Sequence, residues 1–329
     1  MNQYVVGVDG GGTKTDAVLL DISGNLIGMA TGGSSNYQAV GGAKLKEEIL
    51  GCLTKLCHST NVTASRIGHV FLGLAGAGRE KDQREIADLF RDTDYAGKVT
   101  VNSDALVALA GAFGTGPGII IISGTGSICF GQNSEGKVLR SGGWGYLLGD
   151  EGSGYFIGRE GLIAALKDFD GRGEKTRLLP RIEQHFQLQS IDQIIPLIYQ
   201  NKIDRVAIAD LTPIVFELAR EGDVIADEII HLAGRELGKL AKAVAQRLNF
   251  DNEEIRIALI GSVFKQKELL VGEIAKELYD LSWNVQIGDP RLGPKYGAAL
   301  LALQKMGVTI DERILKNLEY SIGQATGRA

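Results

Sequence analysis

Short β-branched runs stopped by glycine dominate the opening of the chain. Val5-Val6-Gly7-Val8-Asp9 enters Gly10-Gly11-Gly12-Thr13-Lys14-Thr15 and leaves through Ala17-Val18-Leu19-Leu20. That is the pattern of a β-hairpin whose tip has lost its bulky side chains. Gly24-Asn25 then turns the chain into a third strand at Leu26-Ile27-Gly28-Met29-Ala30. The period changes after a polar loop, where Leu45, Ile49, Leu53 and Leu56 fall at helical spacing within residues 44–57. A buried-strand run at 69–74, an amphipathic helix at 80–91 and a strand at 98–102 follow. Asp104 opens an Ala-rich helix over 105–112, and the predicted order is βββαβαβα.

Phe113-Gly114-Thr115-Gly116-Pro117-Gly118 breaks every periodicity and marks a candidate boundary. Beyond it the opening is repeated. Ile119-Ile120-Ile121-Ile122 enters Ser123-Gly124-Thr125-Gly126-Ser127, leaves through Ile128-Cys129-Phe130 and turns at Gly136 into Lys137-Val138-Leu139-Arg140. Strand, glycine corner with hydroxyls, strand, turn and strand in both places indicate an internal duplication. The stretch 141–154 then carries Gly142-Gly143-Trp144-Gly145 and Gly149-Asp150-Glu151-Gly152. It reads as a substrate wall, or alternatively as a surface loop whose acids cap the next helix.

From Tyr155 the pattern is mainly helical. Thr212-Pro213 reads as an N-cap with proline at the first helical position, or as a kink inside a longer helix. Gly222-Asp223 reads as a helix stop and a new start, before a long apolar stripe from Ile225 to Leu248. A third strand-to-glycine corner lies at Ile255-Arg256-Ile257-Ala258-Leu259-Ile260-Gly261-Ser262-Val263. Gly293-Pro294 opens a helix whose Gly297, Ala298 and Ala299 allow close packing.

The first corner suggests its own chemistry. Gly10, Gly11 and Gly12 permit positive φ and amides facing a concavity, Thr13 and Thr15 add hydroxyls, and Lys14 adds a cation. That set suits a polyphosphate. Asp9 would repel the anion unless a divalent cation lay between them, so Asp9 reads as a metal-side residue facing Mg²⁺. The stretch is no Walker A loop, because Thr13-Lys14 follows where Gly-Lys-Ser/Thr is required and a strand follows where a helix is required. Nor does its glycine spacing fit a dinucleotide fingerprint. A glycine-rich hairpin without a ligand stays open on this stretch alone.

Composition narrows the classes. At 329 residues the chain is long enough for two domains. A net charge of -5 without a long basic run argues against a nucleic-acid surface. Cys52, Cys57 and Cys129 have no Cys-x-x-Cys spacing, which speaks against a zinc ribbon, an iron–sulfur cluster or a disulfide framework and for a reducing compartment. The sequence begins directly with a strand and holds no apolar run of membrane-spanning length, so a cytoplasmic location without membrane association is expected.

Asp9-Gly10-Gly11-Gly12-Thr13-Lys14-Thr15, Ser123-Gly124-Thr125-Gly126-Ser127 and Gly142-Gly143-Trp144-Gly145 through Gly149-Asp150-Glu151-Gly152-Ser153 together resemble the N-acetylglucosamine kinase branch of the BadF/BadG/BcrA/BcrD ATPase family. This family lies in the actin, Hsp70 and sugar-kinase superfamily. The resemblance implies an α/β fold of two ribonuclease-H-like, actin-like ATPase domains with an interdomain cleft. The first would cover 1–115, joined by a C-terminal helix at 294–306, and the second 116–293 with a helical insertion. ATP and Mg²⁺ are the implied cofactors and a small-molecule amino sugar the implied partner. Dimers are common in the family, which makes a homodimer an expectation of the resemblance.

Carried over by position, Thr13 and Thr125 lie at the ATP phosphates and Gly261 near the adenosine. Asp9, Gly11, Gly12, Lys14, Thr15, Gly124, Gly126 and Ser262 complete the nucleotide side. Asn36, Asp104, Gly142, Gly143, Trp144 and Asp150 correspond to sugar-side positions. Asp104, after Val101-Asn102-Ser103, matches the family's catalytic aspartate, and its other reading is the N-cap of the Ala-rich helix. The segment around 205–218 departs from the family's pattern, so no nucleotide contact is transferred there. The implied activity is phosphorylation of N-acetylglucosamine, glucosamine or N-acetylmuramic acid. The alternative within this fold is the ATPase that activates a CoA-thioester reductase or dehydratase, which needs cysteine ligands that Cys52, Cys57 and Cys129 do not evidently supply.

Overall fold

Apolar alternation and its interruption by glycine build the first sheet. In the computed structural model, which describes residues 3–250, 254–279 and 284–327, the chain divides into two compact units. Met1–Gly116 with Pro290–Ala329 forms one, and Pro117–Asp289 forms the other.

In the first unit β1 (Tyr4–Gly10) pairs antiparallel with β2 (Thr15–Asp21), with Gly10 opposite Thr15. The meander continues into β3 (Leu26–Gly32). On its other side β1 runs parallel to β4 (Ile67–Leu74), which pairs parallel with β5 (Val99–Ser103). The sheet order is β3-β2-β1-β4-β5. Successive side chains of a strand point to opposite faces, and β1 is buried on both. Val6 and Val8 enter the core under α1 (Tyr37–Thr60) and α2 (Glu80–Asp88), while Val5 enters the core on the opposite face. That second core is closed by α3 (Asp104–Phe113) and by two helices from the chain's far end, α11 (Pro294–Lys305) and α12 (Glu312–Thr326). A Cβ on Gly7 would lie 2.2 Å from the Ala299 nitrogen, and one on Gly297 2.0 Å from the Val107 carbonyl oxygen. Glycine at these positions is what lets α11 lie on β1 and α3.

The second unit repeats the plan. β6 (Gly118–Ser123), β7 (Ser127–Gln132) and β8 (Val138–Gly142) form the meander. With β9 (Ile255–Ile260) and β10 (Val285–Gly288) parallel on the other side of β6, the order is β10-β9-β6-β7-β8. Read from the meander outward, both sheets have one topology. Between β8 and β9 the chain adds α4 (Gly154–Phe169), α5 (Leu178–His185), α6 (Ile194–Tyr199), α7 (Arg205–Ala209), α8 (Thr212–Arg220) and α9 (Val224–Leu248). After β9 comes a 3₁₀ segment, Ser262–Leu269, and then α10 (Val271–Tyr279). No helix of the described residues is long and apolar enough to cross a membrane.

Several elements differ from the sequence pattern. The first helix starts at Tyr37, well before residue 44, because the Asn36 side chain accepts from the Gln38 amide and caps it. Gly41, with φ 74 and ψ 170, interrupts it, so the apolar stripe becomes regular only afterwards. Ser103, not Asp104, caps α3 by accepting from the Leu106 amide. Asp104 is instead the first helical residue. Thr212 is likewise helical and caps nothing; its hydroxyl donates to the Gly154 carbonyl at 2.8 Å. Asp150 and Glu151 do not cap the helix after them, whose cap is Ser153. Neither β10 nor α12 was marked by the pattern.

Candidate functional site

Each unit gathers its own group of the residues singled out by sequence. In the first unit, Asp9 lies at the C-terminal end of β1, opposite Asp16 in the hairpin register. Asp104 follows the C-terminal end of β5, and β4 separates the two strands. In open α/β sheets ligands collect at these strand ends. The Asp104 carboxylate accepts from the Ala105 amide at 2.9 Å; the residue is open to solvent, yet partial desolvation of the carboxyl outweighs that bond and holds it above the usual range. Asp9 is pushed up to about 6, first by burial and then by the charges of Asp104 and Asp16, against a partial offset from Lys14 and Lys295.

Asp9 carries unbalanced negative charge from Asp104 and Asp16, which a hard divalent cation would relieve. Among the described residues no group of three or more such side chains is arranged to hold a metal unaided. A Mg²⁺ ion here would therefore use Asp9 together with water and ligand oxygens, the habit of that ion.

The hairpin tip is only partly the cradle expected. Gly12 and Thr13 are exposed, and a Cβ on Gly12 would meet nothing within 4 Å, leaving room for a ligand. The Gly11 amide, however, donates to the Lys14 carbonyl and closes the turn. Lys14 forms an ion pair with Asp16 at 2.7 Å. Thr15 requires a correction. It is fully buried, and its hydroxyl bonds with the Gly33 carbonyl at 2.6 Å and the Ser35 hydroxyl at 2.7 Å. Its place as the first residue of β2 turns it inward, beneath the loop that leads to Asn36. Asn36 spends its own side-chain oxygen on the α1 cap.

In the second unit, Gly124, Thr125 and Gly126 form the tip between β6 and β7. Segment 150–154 is knitted onto it. Ser123 donates to the Gly152 carbonyl at 2.9 Å, Ser127 to that of Glu151 at 2.7 Å, and the Gly154 amide to that of Gly124 at 2.7 Å. Asp150, buried and at φ 65, accepts from the Ser127 amide. A Cβ on Gly126 would stand 2.8 Å from its carboxylate. Gly142 and Gly143, at φ 74 and 70, are held by Arg140, which donates to both carbonyls and lies 4.8 Å over the Trp144 ring. Trp144 itself is 66% exposed.

The third corner joins the second. Gly261 has φ 118, and a Cβ there would fall 2.1 Å from the Ser123 carbonyl oxygen. This close approach opens a pocket of about 230 Å³ whose walls include Gly124, Thr125, Ser262 and Val263. Its remaining wall is Ala209, Asp210, Thr212, Pro213 and Phe216, with Lys265 and Gln266. Sequence reasoning assigned no ligand role to that wall. A signal was present: Gly154, Gly158 and Gly161 recur on one face of α4. A Cβ on each would crowd Thr212, the Ile208 carbonyl and Val215 respectively. Glycine corners with a deep apolar floor at Phe216 fit a nucleotide, whose phosphates need backbone approach and whose base needs a dry slot.

Two mixed sheets of one topology, each ending in a glycine corner, define the actin-like ATPase class built from ribonuclease-H-like units. Residues 6–302 match the BadF/BadG/BcrA/BcrD ATPase family, and the chain belongs to that family. It is 36% identical to an N-acetylmuramic acid/N-acetylglucosamine kinase of Clostridium acetobutylicum, over 91% of this chain and 98% of that one. It is 35% identical to an N-acetyl-D-glucosamine kinase of Dictyostelium discoideum, over 92% and 98%. Among solved structures, a Chromobacterium violaceum protein provisionally assigned as an N-acetylglucosamine kinase superposes with a TM-score of 0.70 at 27% identity, covering 92% of this chain and 99% of that one.

Proposed function

We propose that the chain is a kinase that transfers the γ-phosphoryl group of ATP to a hydroxyl of an amino sugar, with N-acetylglucosamine as its principal substrate and N-acetylmuramic acid or glucosamine as the neighbouring choices. The observation that carries this reading is Asp104, a carboxylate at a strand end, open to solvent as a residue yet with its affinity for protons raised by desolvation. A sugar hydroxyl is a poor nucleophile at neutral pH. A carboxylate placed to accept its proton during attack on the γ-phosphorus contributes about 10²- to 10⁴-fold. Partial desolvation makes Asp104 a stronger base than a fully hydrated aspartate.

The reading assigns Asn36, Asp104, Gly142, Gly143, Trp144 and Asp150 to the sugar. It assigns Gly12, Thr13, Gly124, Thr125, Gly126, Gly261 and Ser262 to the nucleotide, and Asp9 to Mg²⁺. The ion, when bound, neutralises phosphate charge as it is transferred. Thr15 and the Gly11 amide act one step back, by fixing the tip and the loop before Asn36. The relatives' names support an N-acetylated amino sugar over a neutral hexose.

The test is ATP consumption with Mg²⁺, coupled to detection of sugar phosphate, on N-acetylglucosamine, N-acetylmuramic acid, glucosamine, glucose and no sugar. Turnover dependent on an amino sugar is expected. Hydrolysis indifferent to every sugar would sink the kinase reading.

A further inference from the structure

Buried polar side-chain atoms in folded proteins nearly always have partners, so an exception asks for an explanation. Among the described residues one such atom has none: the side-chain oxygen of Gln266. Gln266 lies in the 3₁₀ segment Ser262–Leu269, at the point where helical torsions fail, with φ -125 and ψ 38. The break sets its side chain off the helical course, and the residue lines the pocket beside Thr125, Pro213, Phe216 and Val263. Pro213, Phe216 and Val263 give apolar surface for a flat ring, and the Gln266 carboxamide joins Asp210 and Lys265 among the polar groups of the same wall. As it stands the oxygen is shut off from water. Rotation about the last side-chain torsions would let it meet a donor held in the pocket and end its unpaired state.

We infer that Gln266 reads the nucleobase, its carbonyl oxygen accepting from the exocyclic amine of adenine and disfavouring a purine that carries an oxygen there. A glutamine amide is well matched to that edge of adenine, where a donor and an acceptor lie side by side. The inference rests on the nucleotide reading of this pocket and adds what selects the base. A 6-oxo purine could engage only the N–H₂ of the carboxamide and would leave the Gln266 oxygen unpaired.

The experiment is a calorimetric titration, with Mg²⁺ and no sugar, of ATP, inosine triphosphate and purine riboside triphosphate, which lacks any group at the 6-position. ATP is expected to bind about tenfold tighter than inosine triphosphate, the scale of one neutral hydrogen bond gained against one lost. Purine riboside triphosphate should fall between them. In Gln266→Met the preference should vanish, and the protein without nucleotide should melt about 2 °C higher, because the unpaired acceptor is gone. Equal affinities in the wild type, or a preference that survives Gln266→Met, would overturn the inference and leave the nucleotide pocket standing. Failure of all three nucleotides to bind would overturn the nucleotide reading, and the inference with it. Should Gln266→Met not fold, the order of the three nucleotides on the wild type decides alone, and inosine triphosphate binding first overturns it.

Discussion

The corner of the first unit and the corner of the second share a backbone plan and differ in charge. In both, the hydroxyl at the start of the outgoing strand is buried and ties down a neighbouring loop. Thr15 holds Gly33 and Ser35, immediately before Asn36, and Ser127 holds Glu151, immediately after Asp150. The first corner carries acids of its own, Asp9 and Asp16, with Asp104 near enough to raise Asp9. The second has none between Ser123 and Ser127 and receives Asp150 from a later loop. It is instead closed in by Gly154 and Gly261, which make a pocket. One duplicated device thus gathers carboxylates in one unit and encloses a recess in the other.

The sharpest break in that comparison is Asp104→Asn. Loss of the base should lower turnover by about 10²- to 10⁴-fold, with sugar and ATP affinities changed little. Near-normal turnover would remove the first corner's neighbourhood from the chemistry. Next is Gly261→Ala, which places a side chain at φ 118 and 2.1 Å from the Ser123 oxygen. Denaturant unfolding should show a loss of about 3 kcal/mol, and nucleotide affinity should fall. Gly12→Ala, with open space around it, should leave stability unchanged within error.

Asp9→Asn tests the charge difference. A carboxyl held near 6, against an ordinary value of 3.8, makes the folded protein bind more protons than the unfolded chain between those values. Stability contributed by this group is therefore present at low pH and lost as pH rises through 6, by about 2–3 kcal/mol. The variant should be more stable than the parent at pH 7 to 8 and no more stable below pH 4. In the parent, Mg²⁺ should raise the melting temperature above pH 6 and have little effect below pH 4. Smaller than the loss at Gly261 is that of Thr15→Val, which keeps the shape and removes the hydroxyl. It should cost about 1–2 kcal/mol by leaving the Gly33 and Ser35 oxygens unpaired. Thr13→Val should spare stability and raise the KM for ATP, and the reverse pattern would exchange the two threonines' roles.

Much of this was legible because it is local. Hairpins end where glycines permit the turn, so both corners, the duplication and the boundary at 113–118 stand in the residue pattern. Asp9 and Asp104 were legible as strand-end carboxylates. Asp150 was legible as a residue but not in its setting, since its burial against Gly126 depends on a loop returning over the corner. The wall from Ala209 to Phe216 was missed because nothing in its own residues differs from an ordinary helix start. Its partner is α4, where Gly154 stands 58 residues before Thr212 in the chain. Thr13 and Thr15 looked alike because a hydroxyl at a glycine corner suits a phosphate and a neighbouring carbonyl equally.

The sequence by itself determined the repeated strand and corner order and the carboxylates available to it, since turn chemistry and period two act over a few residues. Tertiary structure alone decided which hydroxyls face outward, how far Asp9 is from its ordinary acidity, and that the second and third corners meet at Gly261. Those properties depend on burial and on contacts between segments far apart in the chain, and neither leaves a local trace.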